Sequence, residues 1–294
     1  MRKVGVVVSI ANLKGGVGKT TISVLFARFL ALKGYRVLLI DADPQGTASY
    51  HAGEELFNEQ GIPLKGLPYI LKTLIEQDTR EDRKLTPEFI EKHMHFISRP
   101  ENEAFWLIPN SINSAIYDPL LQSTAKHFTA FRRILKVLPI SVDVIIIDSP
   151  PYPNAFAFSA LSTSDTLIIP AETTPQAFPG VGEMIKLISI YSDDGLFDIR
   201  SIVIIPTKVK RTKSSSASLK LLMDKYGSLI ATTYIPHTEI CNKVFSGILT
   251  MDHLVKVAME LPNSIERKIV NALTELEIKC VVPFVSEEVL SRLK

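Results

Sequence analysis

Cysteine is nearly missing from this chain. Cys241 and Cys280 are the only two in 294 residues, and no CxxC pair exists. A zinc ribbon or a CxxC redox centre therefore has no support. Two isolated cysteines read as small buried hydrophobes of a reducing compartment. No apolar run reaches the roughly 20 residues that span a bilayer. Met1-Arg2-Lys3 and the short run after it lack a small-residue cleavage pattern, so a signal peptide is not expected. A strong charge of one sign is also lacking. The net charge is +2, so any nucleic-acid role must come from a local basic patch. Low-complexity stretches are nearly absent, which argues against wholesale disorder. A cytoplasmic location is the expectation.

What is present suits one large α/β domain. The hydrophobic fraction is 46% and the charged fraction 22%. Val4–Ile10 is short, apolar and β-branched, as a strand buried on both faces should be. Apolar residues at helical spacing follow over Thr20–Lys33, with Gly34 placed to cap the helix. Arg36–Ile40 is the next strand, which completes a βαβ unit. Further strands are predicted at Phe105–Ile108, Val144–Ile147, Thr166–Ile169, Ser201–Ile205 and Thr233–Ile235. Helices are predicted over Pro63–Gln77, from Thr86 onward, within Ser114–Val137, and over 180–193, 215–226 and 263–279. The alternation points to a doubly wound, mostly parallel sheet with helices on both faces. Residues 1–280 form the domain and 281–294 a short appendage. The stretch 51–103 is polar and irregular, and the pattern does not place it.

Lys14-Gly15-Gly16-Val17-Gly18-Lys19-Thr20-Thr21 lies between a strand and a helix. Glycines let backbone N–H groups approach a phosphate closely, and the helix opening at Thr20 adds its positive dipole end. Lys19 is placed for the β and γ oxygens of ATP, and the Thr20 hydroxyl for Mg²⁺. The strict phosphate-loop pattern wants glycine at position 13, where Leu13 stands. Asp41-Ala42-Asp43-Pro44-Gln45-Gly46 follows the second strand, at the ligand edge of a parallel sheet. Val144-Ile145-Ile146-Ile147-Asp148 is an apolar strand ending in an acid that can hold a water on Mg²⁺. No Asn-Lys-x-Asp guanine motif is visible, which favours ATP over GTP.

Lysine before paired glycines resembles the deviant Walker A loop of the ParA/MinD family. The Asp43 element resembles that family's D-x-D-P-Q segment, and the strand ending in Asp148 its Walker B strand. The fold is then a P-loop NTPase, and the likeness spans most of residues 4–260. The resemblance implies that Lys14 reaches the partner's nucleotide across a dimer, acting much as an arginine finger does. It implies that Asp43 orients the attacking water and that Asp41 supports the magnesium shell. It also places Thr207 near the adenine.

Lys208, Lys210, Arg211, Lys213, Lys220 and Lys225 crowd one segment, with serines at 214–216 and 218 as further phosphate donors and Lys243 as a possible extension. The resemblance implies an ATP-bound homodimer on nonspecific DNA, with hydrolysis stimulated by a ParB-like adaptor. Partition or positioning of a plasmid, chromosome region or other cargo follows, with the protein nucleoid-associated while it holds ATP. A MinD-like membrane role would need a basic amphipathic terminal helix, and 286–294 is short and carries two acids. A metabolic ligase resembling dethiobiotin synthetase would need an acceptor pocket, for which no motif is evident. A nitrogenase-reductase role would need bridging cysteines, which lie too late here. The early phosphate loop leaves no room before it for a helix-turn-helix. His93 and His95 do not share a helix face, so no metal site is read there. Trp106 reads as core.

Overall fold

The computed structural model describes residues 5–52, 65–77, 84–97, 104–124, 126–246 and 248–293. Val4 and the first residues of the helix expected over Pro63–Gln77 lie outside them, as does much of the unplaced stretch 51–103.

In chain order the strands are β1 (Val6–Ile10), β2 (Arg36–Asp41), β3 (His95–Phe96), β4 (Ala104–Ile108), β5 (Val144–Asp148), β6 (Thr166–Glu172) and β7 (Ser201–Thr207). They form one sheet in the order β3-β4-β2-β5-β1-β6-β7. All neighbours run parallel except β3 with β4. The helices of the first half are α1 (Lys19–Leu32), α2 (Thr47–Ala52), α3 (Leu67–Glu76), α4 (Pro87–Lys92), α5 (Tyr117–Ser123), α6 (Ala130–Lys136) and α7 (Ala155–Thr163). Those of the second half are α8 (Phe178–Asp193), α9 (Lys213–Tyr226), α10 (Ile240–Phe245), α11 (Met251–Glu260), α12 (Ile265–Cys280) and α13 (Glu287–Arg292).

The strands alternate sides with the period of two that a pleated backbone imposes. Val6, Val8, Val37, Leu39, Val144 and Ile146 face a core with α1, α11 and α12. Val7, Leu38, Ile40, Ile145 and Ile147 face a second core with α3, α6 and α7. Both faces are covered, as a parallel sheet requires. β1 sits between β5 and β6: the chain leaves it toward β2 on one side and later passes from β5 across it to β6 on the other. That reversal opens the ligand crevice at the carboxyl ends of the strands.

Helix α1 ends as its sequence dictates. Gly34 adopts φ 91°, and Gly34 N–H and Tyr35 N–H close onto the carbonyls of Ala31 and Leu30. Thr86 caps α4, accepting from Phe89 N–H at 3.2 Å.

One expected strand needs correction. No strand forms over Thr233–Ile235; Ile235 N–H donates to Pro206 O of β7 at 2.9 Å, and single bridges, Ile204 to Ile230 and Val209 to Pro236, flank the segment. Thr233 instead turns to Glu275 of α12, which accepts from the N–H groups of Thr232 and Thr233. Helices α2, α7, α10, α11 and α13 and strand β3 are not among the predicted elements. In the short appendage, Phe284, Val285, Val289 and Leu293 pack on the α1 core, and Arg292 pairs with buried Asp143. Trp106 does pack in the core, edge-on to Phe96. His93 Nδ1 accepts from Gly66 N–H at 3.1 Å and its ring stacks on Tyr69.

Candidate nucleotide site

The loop after β1 is shaped by two left-handed glycines, Gly16 (φ 73°) and Gly18 (φ 96°). A side chain at either position would be strained, so the glycines are needed for the backbone to curl there. Gly18 is the N-cap of α1, which brings the free N–H groups of that helix to the loop's concave side. Beneath the loop, Thr207 Oγ1 donates to the Val17 carbonyl at 2.8 Å. Asn12 is fully buried; its Nδ2 donates to Pro170 O at 2.7 Å and its Oδ1 accepts from Lys14 N–H at 3.0 Å. Helix α8 abuts the same point. A Cβ on Gly180 would stand 3.0 Å from Asn12 Oδ1 and 3.2 Å from Lys14 Cβ.

Lys19 is 7% exposed and donates to the Lys14 carbonyl at 3.0 Å. Burial lowers its pKa, while Asp148 and Asp43 pull it back up. The ammonium of Lys14 makes no hydrogen bond or ion pair among the described residues.

The acids lie where the sheet register puts them. Asp41 and Asp148 are direct neighbours at the ends of β2 and β5. Both are fully buried. Asp148 accepts from Thr20 Oγ1 at 2.8 Å and Ser23 Oγ at 2.7 Å. Asp41 accepts from Ser49 N–H at 2.8 Å and Ser49 Oγ at 2.6 Å. Its other oxygen accepts from Asp43 N–H at 3.1 Å. Burial raises both pKa values above the carboxylate range, and the charge of Asp148 pushes Asp41 further. The two titrate as a pair. Asp43 is half-buried, and burial raises its pKa against the pull of Gln45 N–H and Lys19.

Gly16, Gly18, Lys19, Thr20, Asp43 and Lys208 line one cleft of about 250 Å³. A larger cavity of about 770 Å³ opens at the opposite edge, beside Gly5, Asp143 and Arg292. It faces the amino ends of the strands, away from the loop, so size does not locate the site. The donors of the small cleft are what a triphosphate needs: turned backbone N–H groups, a buried lysine and a hydroxyl beside a carboxylate. A hard divalent cation fits the oxygens of Thr20 and Asp148.

A family model described as AAA domain matches residues 5–198, two thirds of the chain. The chain belongs to this family of ParA/MinD-type ATPases. Maintenance of carboxysome distribution protein A from Synechococcus elongatus is 28% identical over 223 residues, covering 72% of this chain and 79% of its own. The sporulation initiation inhibitor protein Soj of Bacillus subtilis is 31% identical over 186 residues, covering 63% and 66%. The ATP complex of a McdA variant from Cyanothece superposes with TM-score 0.74 at 21% identity, over 95% of this chain and 98% of that one. That last likeness shows a shared ParA/MinD-type fold.

Every residue of the phosphate loop, with Asp41, Asp43 and Asp148, is thus gathered at one sheet edge. Thr207 is not on the open side of the cleft. It is 2% exposed and its hydroxyl is committed to the loop from beneath. The basic strip divides. Lys210, Arg211, Lys213 and Lys220 are exposed on and before α9, and Lys243 is exposed on α10. Lys208 is half-buried in the cleft. Ser215 and Ser218 are buried, and Ser215 Oγ serves Thr173 and Lys210 N–H instead of facing outward.

Ser23, Ser49 and Asn12 hold the site and are absent from the motif reading. Ser23 stood in view as the polar residue one turn past Thr20 in an apolar helix. Asn12 and Ser49 carry no such signal: Asn12 joins Lys14 to Pro170, and Ser49 joins Asp41 to Asn110, pairings that no periodic pattern marks.

Proposed function

We propose that this ParA/MinD-type protein is an ATP-hydrolysing, dimerising ATPase that binds DNA without sequence preference in its ATP state and positions a cargo along it. The observation that carries the reading is the convergence of Lys19, Thr20, Asp43 and Asp148 beneath a glycine loop that leaves the Lys14 ammonium uncommitted. Thr20 and Asp148 would hold Mg²⁺, which supplies neutralisation of phosphate charge. Lys19 binds the terminal phosphates. Asp43, at the cleft and with its carboxylate steadied by Gln45 N–H, orients the attacking water. Lys14 extends to the nucleotide of a second copy and offsets charge on the transferring phosphoryl group.

ATP then favours the dimer by its greater affinity for that state. The exposed lysines of α9 and Lys243 form the DNA surface, governed by counterion release. A ParB-like adaptor accelerates hydrolysis, the dimer parts and DNA is released. The relatives named for carboxysome distribution and for Soj support a positioning role. The docking of α13 on the body, with Leu293 against Gly34, favours DNA over a membrane-seeking terminal helix. No described helix is long and apolar enough to cross a membrane.

Light scattering tests the cycle. Wild type should dimerise with ATP and Mg²⁺ but not with ADP, and only that dimer should shift nonspecific DNA. Lys14→Ala should bind ATP and stay monomeric. A wild-type protein that remains monomeric with ATP would overturn the cycle. ATP turnover that needs a small-molecule acceptor would point to a ligase instead.

A further inference from the structure

Lys208 sits apart from the basic strip that its sequence position suggests. It lines the phosphate cleft together with Gly18 and Lys19. It is also the sole non-glycine residue among those described with a positive φ, 51°. A lysine rarely adopts that conformation unless its surroundings impose it, and such residues gather at ligand clamps.

The surroundings here are explicit. On one side Thr207 is tied to the phosphate loop through Val17 and to β6 by the sheet register. On the other side Val209 N–H donates to Ile235 O at 3.2 Å, and His237 N–H donates to Val209 O at 3.0 Å. Both neighbours are clamped, so the turn between them falls on residue 208. Among the described residues no carboxylate pairs with the Lys208 ammonium. A half-buried cation without a counter-ion, in a cleft that it shares with the glycine loop and Lys19, is suited to an anion.

We propose that Lys208 is a further cationic ligand of the nucleotide's phosphate chain, supplied from the end of β7, and not part of the DNA surface. The proposal rests on the reading that this cleft binds a nucleoside triphosphate. Lys208 would add a point charge to the cradle from the end of β7, linking β7 and the 235–237 segment to the bound state.

Calorimetric titration of wild type, Lys208→Met, Lys208→Gly, Lys208→Arg and Lys19→Ala with a non-hydrolysable ATP analogue and with ADP tests this. Lys208→Met should bind both about tenfold more weakly, as loss of one charge-assisted contact does. Lys208→Gly should weaken binding equally, although glycine accepts the left-handed backbone without strain. Lys208→Arg should stay within about threefold of wild type. If the methionine variant does not fold, by circular dichroism, the glycine variant decides. Wild-type affinity in Lys208→Gly would overturn the proposal, since the residue would then serve only the turn. Unchanged nucleotide affinity with a shallower salt dependence of DNA binding would overturn it too and return Lys208 to the strip. Wild type that binds no better than Lys19→Ala would instead remove the nucleotide reading beneath it.

Discussion

The hydroxyl of Thr20 donates to Oδ2 of Asp148 at 2.8 Å, across 128 residues of sequence. This contact joins the first turn of α1 to the end of β5, and Ser23 doubles it at 2.7 Å. It also holds a carboxylate in a buried place beside Asp41. Both acids bind protons more readily folded than unfolded. For an acid whose pKa rises on folding, stability falls as pH climbs from its unfolded value, about 4, through its folded one. The nucleotide-free protein should therefore lose stability from this pair between about pH 4 and neutrality. Asp148→Asn keeps the shape, and both hydroxyls can turn to pair with an amide. Calorimetry at pH 8 should show the variant melting about 2 °C or more above wild type, with a flatter pH dependence. Its response to Mg²⁺ with nucleotide should vanish. A variant melting below wild type at pH 8 would show that the carboxylate stabilises the fold.

Thr207 is a test of support from beneath. Thr207→Val keeps the volume, removes the donor and leaves the buried Val17 carbonyl unpaired. The loss should be about 1–3 kcal/mol of stability. Because Val17 lies inside the phosphate loop, nucleotide affinity should fall several-fold as well. Chemical denaturation and calorimetric titration measure the two. Loss of stability with unchanged affinity would mean that the loop does not depend on this tether.

How much of this was legible in the sequence depends on the range of the interaction. The glycine loop, Lys19, Thr20, Asp43 and Asp148 are local signals, each a short pattern at a strand end, and the structure gathers them at one edge. The alternation of strands and helices likewise implied the parallel sheet. What escaped was decided by contacts that no short pattern marks. Ser49 is unremarkable until it bonds Asp41 and Asn110 N–H. Thr233–Ile235 has β-branched residues suited to a strand, yet Glu275 of α12 claims Thr233 N–H, and only Ile235 N–H donates to β7 among the described residues. Lys208 reads as one more lysine of a basic run, and only its φ and its place in the cleft separate it.

Gly180 tests how closely α8 governs Lys14. Alanine there should gain up to about 1 kcal/mol from helix propensity. Its Cβ would meet Asn12 Oδ1 at 3.0 Å, and Asn12 cannot retreat freely because it holds Pro170 O. Lys14 Cβ at 3.2 Å must give way instead. The two effects oppose, so the melting temperature should move by less than about 2 °C. The ATP-dependent dimer, which needs Lys14 correctly aimed, should weaken about tenfold by light scattering. Full dimerisation in Gly180→Ala would show that Lys14 tolerates the shift.

The exposed strip makes a separable prediction. Lys213 and Lys220 stand on α9, outside the cleft, so their loss should not touch nucleotide binding. Each phosphate contact removed should lower the slope of log affinity against log salt by about 1. Lys213→Ala with Lys220→Ala should thus lower the slope by about 2, alike on unrelated DNA sequences, while ATP-dependent dimerisation stays intact. Filter binding across a salt series with light scattering on the same samples measures both. A double variant that keeps the wild-type slope would place the DNA surface elsewhere, with Lys243 of α10 the next residue to change.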